Sequence, residues 1–433
     1  MESIISEPIL ELRKSLELPH EIIEYIVSLI SEHWDGKKKK KTTLLNCSEI
    51  SWTWRLACAR YLFSHLRITG AERFSRFIAF VQLKRYKGFA SCIRSLFVCP
   101  NSIADPSLHM KLLVTAEILA MVLDALPNLK NIHLCAVQLG ISAHRAIKRT
   151  DVLPRPRLYE VDTLTIAYTM RANGDFTSDF PNFLKIFRLF AKIGTLKVQD
   201  VISAYDLNAW LDPDSRMDTY PPSIFPPGLR VERISGDFPV KLWHHFLRRT
   251  STIEQQSLVA VRLRVSCDQV KDIGALLGAG GSNIRSLVID VCFKVDSHSN
   301  MSHIVDMDLS GCKSLERVTI LHNASQGRSS WVVTNGIVAS LPTETLTRLV
   351  FGGMSNVAVD DWTAGLADGF QQLQSLLSRF PLLKEVVLHD MYYICRRLLE
   401  GSLLSGVQRS WQLLYSLADP EDEDPDFPKI LDF

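Results

Sequence analysis

The first apolar segment of the chain, LELPHEIIEYIVSLI (residues 16–30), carries more hydrophobic positions than one packing face needs. On a helical wheel Ile22, Ile26, Leu29 and Ile30 share one side, Ile23 and Val27 widen it in one direction, and Tyr25 widens it in the other. That arc is about twice the roughly 100° stripe that suffices to bury one helix face. Glu21, Glu24, Ser28 and Glu32 keep the remainder polar, which predicts a helix from about Pro19 to Glu32. Pro19 suits its first position, and Glu21 sits where a negative charge favours the helix dipole. Gly36 and the run Lys37 to Lys41 break the pattern and read as a solvated loop, after which Thr42 or Thr43 is placed to cap a new helix. The next stretch, LLNCSEISWTWRLACARYLFSHLRI, offers Leu44, Leu45, Cys47, Ile50, Trp52, Trp54, Leu56, Tyr61, Leu62 and Phe63, enough for two or three short helices. So small a unit has more apolar faces than its own interior absorbs, so a surface outside it is implied: the rest of the chain, or another protein.

From Ala71, AERFSRFIAFVQLKRY spaces Phe74, Phe77, Ile78 and Val81 as a helix does and reads as a linker. Beyond it one phrase returns: aliphatic, two of any type, aliphatic, one of any type, aliphatic. It occurs at Ile93-Leu96-Val98, Leu129-Ile132-Leu134, Val161-Leu164-Ile166, Ile193-Leu196-Val198, Ile284-Leu287-Ile289, Leu315-Val318-Ile320, Leu346-Leu349-Phe351 and Leu383-Val386-Leu388. Successive last positions lie 36, 32 and 32 residues apart, then 91, then 31, 31 and 37. The long gap predicts two blurred copies, with Val231-x-x-Ile234 and the alternation Val259, Val261, Leu263, Val265 as candidates. Between phrases, HMKLLVTAEILAMVLDALP, FPNFLKIFRLFAKI, CDQVKDIGALLGAG and FQQLQSLLSRFP show helical spacing. Strand, helix and strand in regular alternation predict an α/β fold with a parallel sheet and helices on its outer side.

The phrase resembles the strand of a leucine-rich repeat, with Asn101, Cys292 and Asn323 completing the motif three residues after the last aliphatic position. Eight to ten such units imply a curved solenoid of parallel strands. Its concave face is expected to expose the residues between and beside the strand aliphatics, and Phe97, His133, Thr165, Lys197, Val288, Thr319, Val350 and Val387 are the candidate target-binding positions. With Ser95, Asn131, Thr163, Thr195, Ser286, Arg317, Arg348 and Glu385 beside them, the mixture shows no single sign of charge and suits a protein target.

A second resemblance lies at the start. Leu18-Pro19-x-Glu21-Ile22-x-x-x-Ile26-Val27, followed by Leu44-Leu45-Asn46-Cys47-x-x-Ile50-Ser51-x-x-Trp54, resembles the F-box motif of F-box-like proteins abundant in mushroom-forming fungi. In that family the segment is a three-helix motif that docks on the adaptor Skp1, which joins a cullin scaffold and a RING ligase. By position, the resemblance implies adaptor contact by Leu18, Pro19, Ile22, Ile26, Leu44, Leu45, Ile50 and Trp54. The implied organisation is a leader over 1–15, an F-box over 16–66, a linker helix over 67–90, a repeat domain over 91–416 and an acidic tail over 417–433. The implied function is substrate recognition in a ubiquitin ligase, with no catalysis by this chain. The other reading is a repeat scaffold for protein interaction with an N-terminal helical cap.

Composition narrows this little further. In 433 residues, 49 Lys and Arg face 47 Asp and Glu, so a formal charge of +2 gives no long-range field towards nucleic acid or an anionic membrane. No apolar run approaches the roughly 18 residues needed to span a bilayer, and the start has no secretory pattern, so the expected compartment is cytoplasm, nucleus or both. Nine scattered cysteines without C-x-x-C read as reduced thiols. GALLGAGGSN, around Gly278, Gly280 and Gly281, completes no phosphate-binding motif and reads as a helix C-cap, and Trp243-His244-His245-Phe246 lacks the spacing of a metal site. No cofactor and no metal are expected. The segment DPEDEDPDFP, Asp419 to Pro428, is acidic and proline-rich and reads as unfolded.

Overall fold

Each recurring aliphatic phrase becomes a strand, and the strands line up in the order in which the chain makes them. The computed structural model describes residues 18–33, 37–83, 86–99, 112–135, 137–139, 158–167, 186–199, 229–236, 257–266, 274, 277, 281–292, 308–323, 327–354, 369, 371–389 and 412–416. Three helices come first: α1 (His20–His33), α2 (Lys37–Ser48) and α3 (Trp52–Leu62). Then follow β1 (His65–Thr69), α4 (Ala71–Val81), α5 (Lys87–Ala90), β2 (Ser95–Cys99), β3 (Leu113–Val114), α6 (Ala116–Ala125), β4 (Asn131–Cys135) and β5 (Gln138–Leu139). The remaining strands are β6 (Tyr159–Ala167), β7 (Phe190–Gln199), β8 (Arg230–Gly236), β9 (Ala260–Ser266), β10 (Ser286–Cys292), β11 (Arg317–Asn323), β12 (Arg348–Met354), β13 (Glu385–His389) and β14 (Gln412–Ser416). Helix α7 (Gly327–Ser340) lies between β11 and β12, and α8 (residues 371–377) precedes β13.

Twelve strands form one open, wholly parallel sheet in the order β1-β2-β4-β6-β7-β8-β9-β10-β11-β12-β13-β14, while β3 and β5 pair separately. The register keeps the phrases in phase. Leu66, Leu96, Ile132, Leu164, Leu196, Ile234, Val261, Leu287, Val318, Leu349, Val386 and Leu413 form one row across all twelve strands. Two residues further along, Ile68, Val98, Leu134, Ile166, Val198, Gly236, Leu263, Ile289, Ile320, Phe351, Leu388 and Tyr415 form a second. Strand alternation puts both rows on one face. From Ile68 to Val386 the buried members belong to a single continuous core, which also takes Phe74, Phe77 and Val81 of α4, Leu119, Val122 and Leu123 of α6, and Val333 and Ile337 of α7. Each such side chain contributes about 1.5–3 kcal/mol by leaving water.

A local device repeats with the rows. The carbonyl just before one strand accepts two N–H groups from the next unit, at the start of β2 and β4 and inside β6: Ser64 from Arg94 and Ser95, Arg94 from Lys130 and Asn131, Lys130 from Asp162 and Thr163, at 2.8–3.1 Å. It returns at Val259, Arg285, Glu316 and Thr347. Before it, the first aliphatic residue of the phrase donates to the carbonyl three residues earlier: Ile93 to Ala90, Leu129 to Leu126, Ile284 to Gly281, Leu315 to Cys312 and Leu383 to Phe380. These turns end each crossover and deliver the chain to the next strand with its polar backbone groups satisfied.

Several expectations change. The 91-residue gap does hold two strands, β8 and β9, but β9 starts its phrase at Leu258, which is buried, while Val259 is half-buried. The sheet begins before residue 91. Phe63-x-x-Leu66-x-Ile68 is an earlier copy, a boundary at Leu66 cuts β1, and the helix read as a linker is the crossover α4 from β1 to β2. Lysines 37–41 form the first turns of α2 instead of a loop, Lys having adequate helix propensity, with the Lys40 ammonium donating to the Ser31 carbonyl. Among the described residues of HMKLLVTAEILAMVLDALP only 116–125 is helical, because Leu113 and Val114 pair with β5 and Thr115 caps α6 by accepting from Ile118 N at 3.2 Å. The apolar end of FPNFLKIFRLFAKI enters β7 from Phe190. Asn101 lies outside the described residues, as does everything from 417 to 433, and of Cys292 and Asn323 only the strand backbone is described.

Gly281 is needed for space. Its φ is not in the left-handed region, Gly70 being the described glycine that is, at 85°. A Cβ on Gly281 meets the Leu277 carbonyl oxygen at 2.2 Å and the Cys312 sulfur at 2.6 Å. Gly281→Ala therefore destabilises the fold by about 1–3 kcal/mol in urea denaturation, the usual cost of overpacking; a change below 0.5 kcal/mol contradicts this packing.

Candidate functional site

The N-terminal helices resolve the overwide apolar arc into two faces. Ile23 and Val27 of α1, Leu44 of α2 and Ala57 and Cys58 of α3 are buried together as a small core separate from that of the sheet, with Ile30, Cys47, Trp54 and Leu62 packed around it. Glu24 accepts from Arg60 at 2.5 Å and lies 3.1 Å from His20, a polar clasp between α1 and α3. Ser51 caps α3, its hydroxyl accepting from Trp54 N at 3.5 Å. The other side of α1 stays in water: Ile22 is 46% exposed, Tyr25 62% and Leu29 38%, spaced as one helical stripe. Leu18, Pro19, Leu45, Ile50, Trp52 and Leu56 are exposed as well.

Of the eight positions implied for adaptor contact, Leu18, Pro19, Ile22, Leu45 and Ile50 are exposed, and Ile26 and Trp54 are half-buried. Leu44 is a correction: at 2% exposure it belongs to the interior. Adjacent residues on a helix point about 100° apart, so only one of Leu44 and Leu45 can meet Ile23 and Val27. Tyr25, Trp52 and Leu56 are exposed apolar neighbours in sequence that the motif alone did not single out. The helices run straight into the sheet, with only Phe63 and Ser64 between α3 and β1, and the Phe63 ring meets Phe89 edge-on at 4.5 Å.

The second surface is the sheet face away from the main core. There Ala260, Val288 and Leu321 make a small cluster of their own, which confirms that alternate positions emerge on this side. Of the eight target-binding candidates, Phe97 and Thr319 are half-buried, while His133, Thr165, Lys197, Val288, Val350 and Val387 are buried. The expectation of exposure fails for those six. Parallel strands roughly 4.8 Å apart stack equivalent side chains shoulder to shoulder, so a central row is largely covered by its own members.

The missing strands also change the sign of this face. Adding β1, β8 and β9 places His65, Arg67, Arg233, Ser235, Ala260 and Arg262 in the same two rows as Arg317, Arg348, Lys197 and His133. Within those rows from β1 to β13, Arg67, Lys197, Arg233, Arg262, Arg317 and Arg348 face one acid, Glu385, whose carboxylate lies 3.3 Å from Arg348. These two rows are basic, a feature that the net charge of the chain does not disclose.

Its N-terminal end is a stack. The Arg67 guanidinium lies 5.0 Å from the centre of the Phe97 ring, and that ring lies 6.0 Å from His133. Next in the row, the buried Thr165 hydroxyl has no hydrogen-bond partner among the described residues. Burial, with Lys197 and His65 adding like charge, pushes His133 down to about 4. No group of three or more metal-ligating side chains occurs among the described residues. Burial raises the thiols of Cys58 and Cys135 to about 11 and that of Cys312 to about 12. Residues 243–246 lie outside the described residues.

His133 makes a stability prediction. Its folded value of about 4 lies below the ordinary 6.5, so as pH falls through 6.5 the unfolded chain takes up a proton that the folded chain refuses until about 4. Stability is lost downwards through that window, on the order of 2 kcal/mol between pH 7 and pH 5. Urea denaturation at the two pH values checks it: His133→Phe loses less stability than the parent chain by about that amount, and equal losses contradict a neutral, buried imidazole.

No protein-family model matches the chain, and no curated protein matches its sequence.

Proposed function

We propose that the chain is the substrate-recognition subunit of a cullin-RING ubiquitin ligase, held to a Skp1-type adaptor by its N-terminal helices and to a protein target by its repeat sheet. The observation that carries this reading is the exposure of Leu18, Pro19, Ile22, Leu45 and Ile50 on helices that possess a core of their own. Apolar side chains left in water beside a satisfied interior are the mark of a docking surface. The resemblance of the same residues to the F-box motif names the partner.

The repeat region is read as a leucine-rich-repeat-like solenoid. Twelve parallel strands in chain order, with the described crossover helices α4, α6 and α7 sharing one core with the sheet, fit one supersecondary unit stacked on its neighbour. Such an array presents an extended face to a macromolecule. Ubiquitin transfer then follows from proximity, the receptor supplying position and the ligase the chemistry. A nuclear or cytoplasmic site of action accompanies this reading; no helix among the described residues is long and apolar enough to cross a membrane.

A second reading has an observation of its own. The two-residue passage from α3 to β1 and the Phe63–Phe89 contact join the helices closely to the first repeat, as a cap requires. Adaptor binding separates the two. The parent chain is expected to co-purify with Skp1 and its cullin, and Ile22→Asp with Leu45→Asp to lower that recovery at least tenfold while the melting temperature stays within about 2 °C, since both side chains are exposed. No recovery of the parent chain, or recovery indifferent to the two charges, removes the ligase reading and leaves the capped scaffold.

A further inference from the structure

The cysteines look scattered along the chain, yet the sheet brings two of them together. We propose that Cys99 and Cys135 are a thiol–disulfide switch, closing to a disulfide across β2 and β4 when a low-molecular-weight disulfide such as oxidised glutathione accumulates, and opening again in excess thiol. The inference stands independently of the ligase reading, since it uses only the register of the sheet and the chemistry of two thiols.

Register carries it. Strands β2 and β4 pair in parallel from Ser95 with Asn131 to Val98 with Leu134, and the next residue on each, the last of its strand, is Cys99 and Cys135. By strand alternation both lie on the side of Phe97 and His133, and neither belongs to the main core. Their neighbours in the row, Thr69 beside Cys99 and Ala167 beside Cys135, are small. Adjacent strands run roughly 4.8 Å apart, inside the window of about 4.4–6.8 Å between Cα atoms that a disulfide bridges. Side chains that stand parallel keep their Cβ atoms near the strand spacing, wider than the roughly 3.8 Å of a relaxed disulfide, so closure pinches the strand ends together. A bond formed under that tension is readily reduced, which suits a switch better than a permanent staple.

Access and electrostatics agree with the order of events. Cys99 is buried at 1% exposure, whereas Cys135 is half-buried, so a reagent meets Cys135 first. Burial and the neighbouring Cys99 hold the Cys135 thiol up at about 11, while the Arg67 guanidinium pulls it down. At neutral pH the resting state is therefore the dithiol, and reaction proceeds through the small thiolate fraction. The Cys135 thiolate attacks one sulfur of oxidised glutathione and expels one glutathione thiolate, which takes up the proton that Cys135 lost. Cys99 then gives up its proton, attacks the Cys135 sulfur of the mixed disulfide and expels the second glutathione. Two protein thiols have become one disulfide, and one glutathione disulfide has become two thiols.

The test maps thiols in the full chain. It is held at mildly alkaline pH in glutathione buffers that run from reduced to oxidised, free thiols are alkylated, and the digest is read by mass spectrometry. The expected result is a linked Cys99–Cys135 peptide pair, lighter by two hydrogens, that rises with oxidised glutathione and disappears on return to the reduced buffer. Cys99→Ser is expected to trap Cys135 as its mixed disulfide with glutathione, at least about tenfold above the parent, because the resolving thiol is gone. Diamide, which accepts the same two hydrogens, repeats the experiment with a faster oxidant. Both cysteines recovered alkylated after both oxidants, or both ending as glutathione adducts in the parent chain, overturns the proposal. So does a link between Cys47 and Cys58 with Cys99 and Cys135 left reduced, or a Cys99–Cys135 link that forms only in urea. The parent chain decides alone if Cys99→Ser does not fold.

Discussion

Everything in this molecule hangs on the parallel register that sets one aliphatic residue beside the next across twelve strands. The row from Leu66 to Leu413 is continuous across the sheet, and at β2, β4, β6, β10, β11, β12 and β13 a carbonyl of the previous unit receives two N–H groups. A slip of one residue would turn the aliphatic rows out and the arginine rows in, which no burial term could offset. The turns ending at Ile93, Leu129, Ile284, Leu315 and Leu383 hold the phase while the crossovers vary in length.

Two surfaces follow from that constraint. Packing helices against one face of the sheet leaves the other to whatever side chains the alternate positions carry, and there the sum is basic although the chain as a whole is nearly neutral. At the N-terminal end, α1, α2 and α3 bury Ile23, Val27, Leu44, Ala57 and Cys58 among themselves and leave Ile22, Tyr25 and Leu45 outside. The proposed assignments give the helices to an adaptor and the sheet to a protein target.

Much of this was legible in the residues. The eight regular phrases all fall on strands, and the interval of 91 correctly implied two more, because aliphatic spacing survives wherever the main core demands it. Copies that trade an aliphatic residue for another requirement were hard to read. Gly236 replaces the third member of its phrase, since a Cβ there meets the Val198 carbonyl oxygen at 2.0 Å. Phe63-Leu66-Ile68 was hidden by doubling as the end of the F-box-like motif. Exposure on the sheet face was misjudged at His133, Lys197 and Val387 because covering by neighbouring strands depends on register, which periodicity along one strand does not contain. The lysine run was misread because a row of like charges signals solvent and says little about backbone, which here is helical.

The central claim is that the in-phase array begins at Phe63, directly against the helical unit with no linker between. Hydrogen exchange read by mass spectrometry on the intact chain tests it through the amides of β1. The account predicts that residues 65–69 exchange as slowly as 95–99 of β2, because the two strands form one ladder. Rapid exchange of 65–69 beside a protected β2 would contradict it, and would return that segment to a tether between two independent parts.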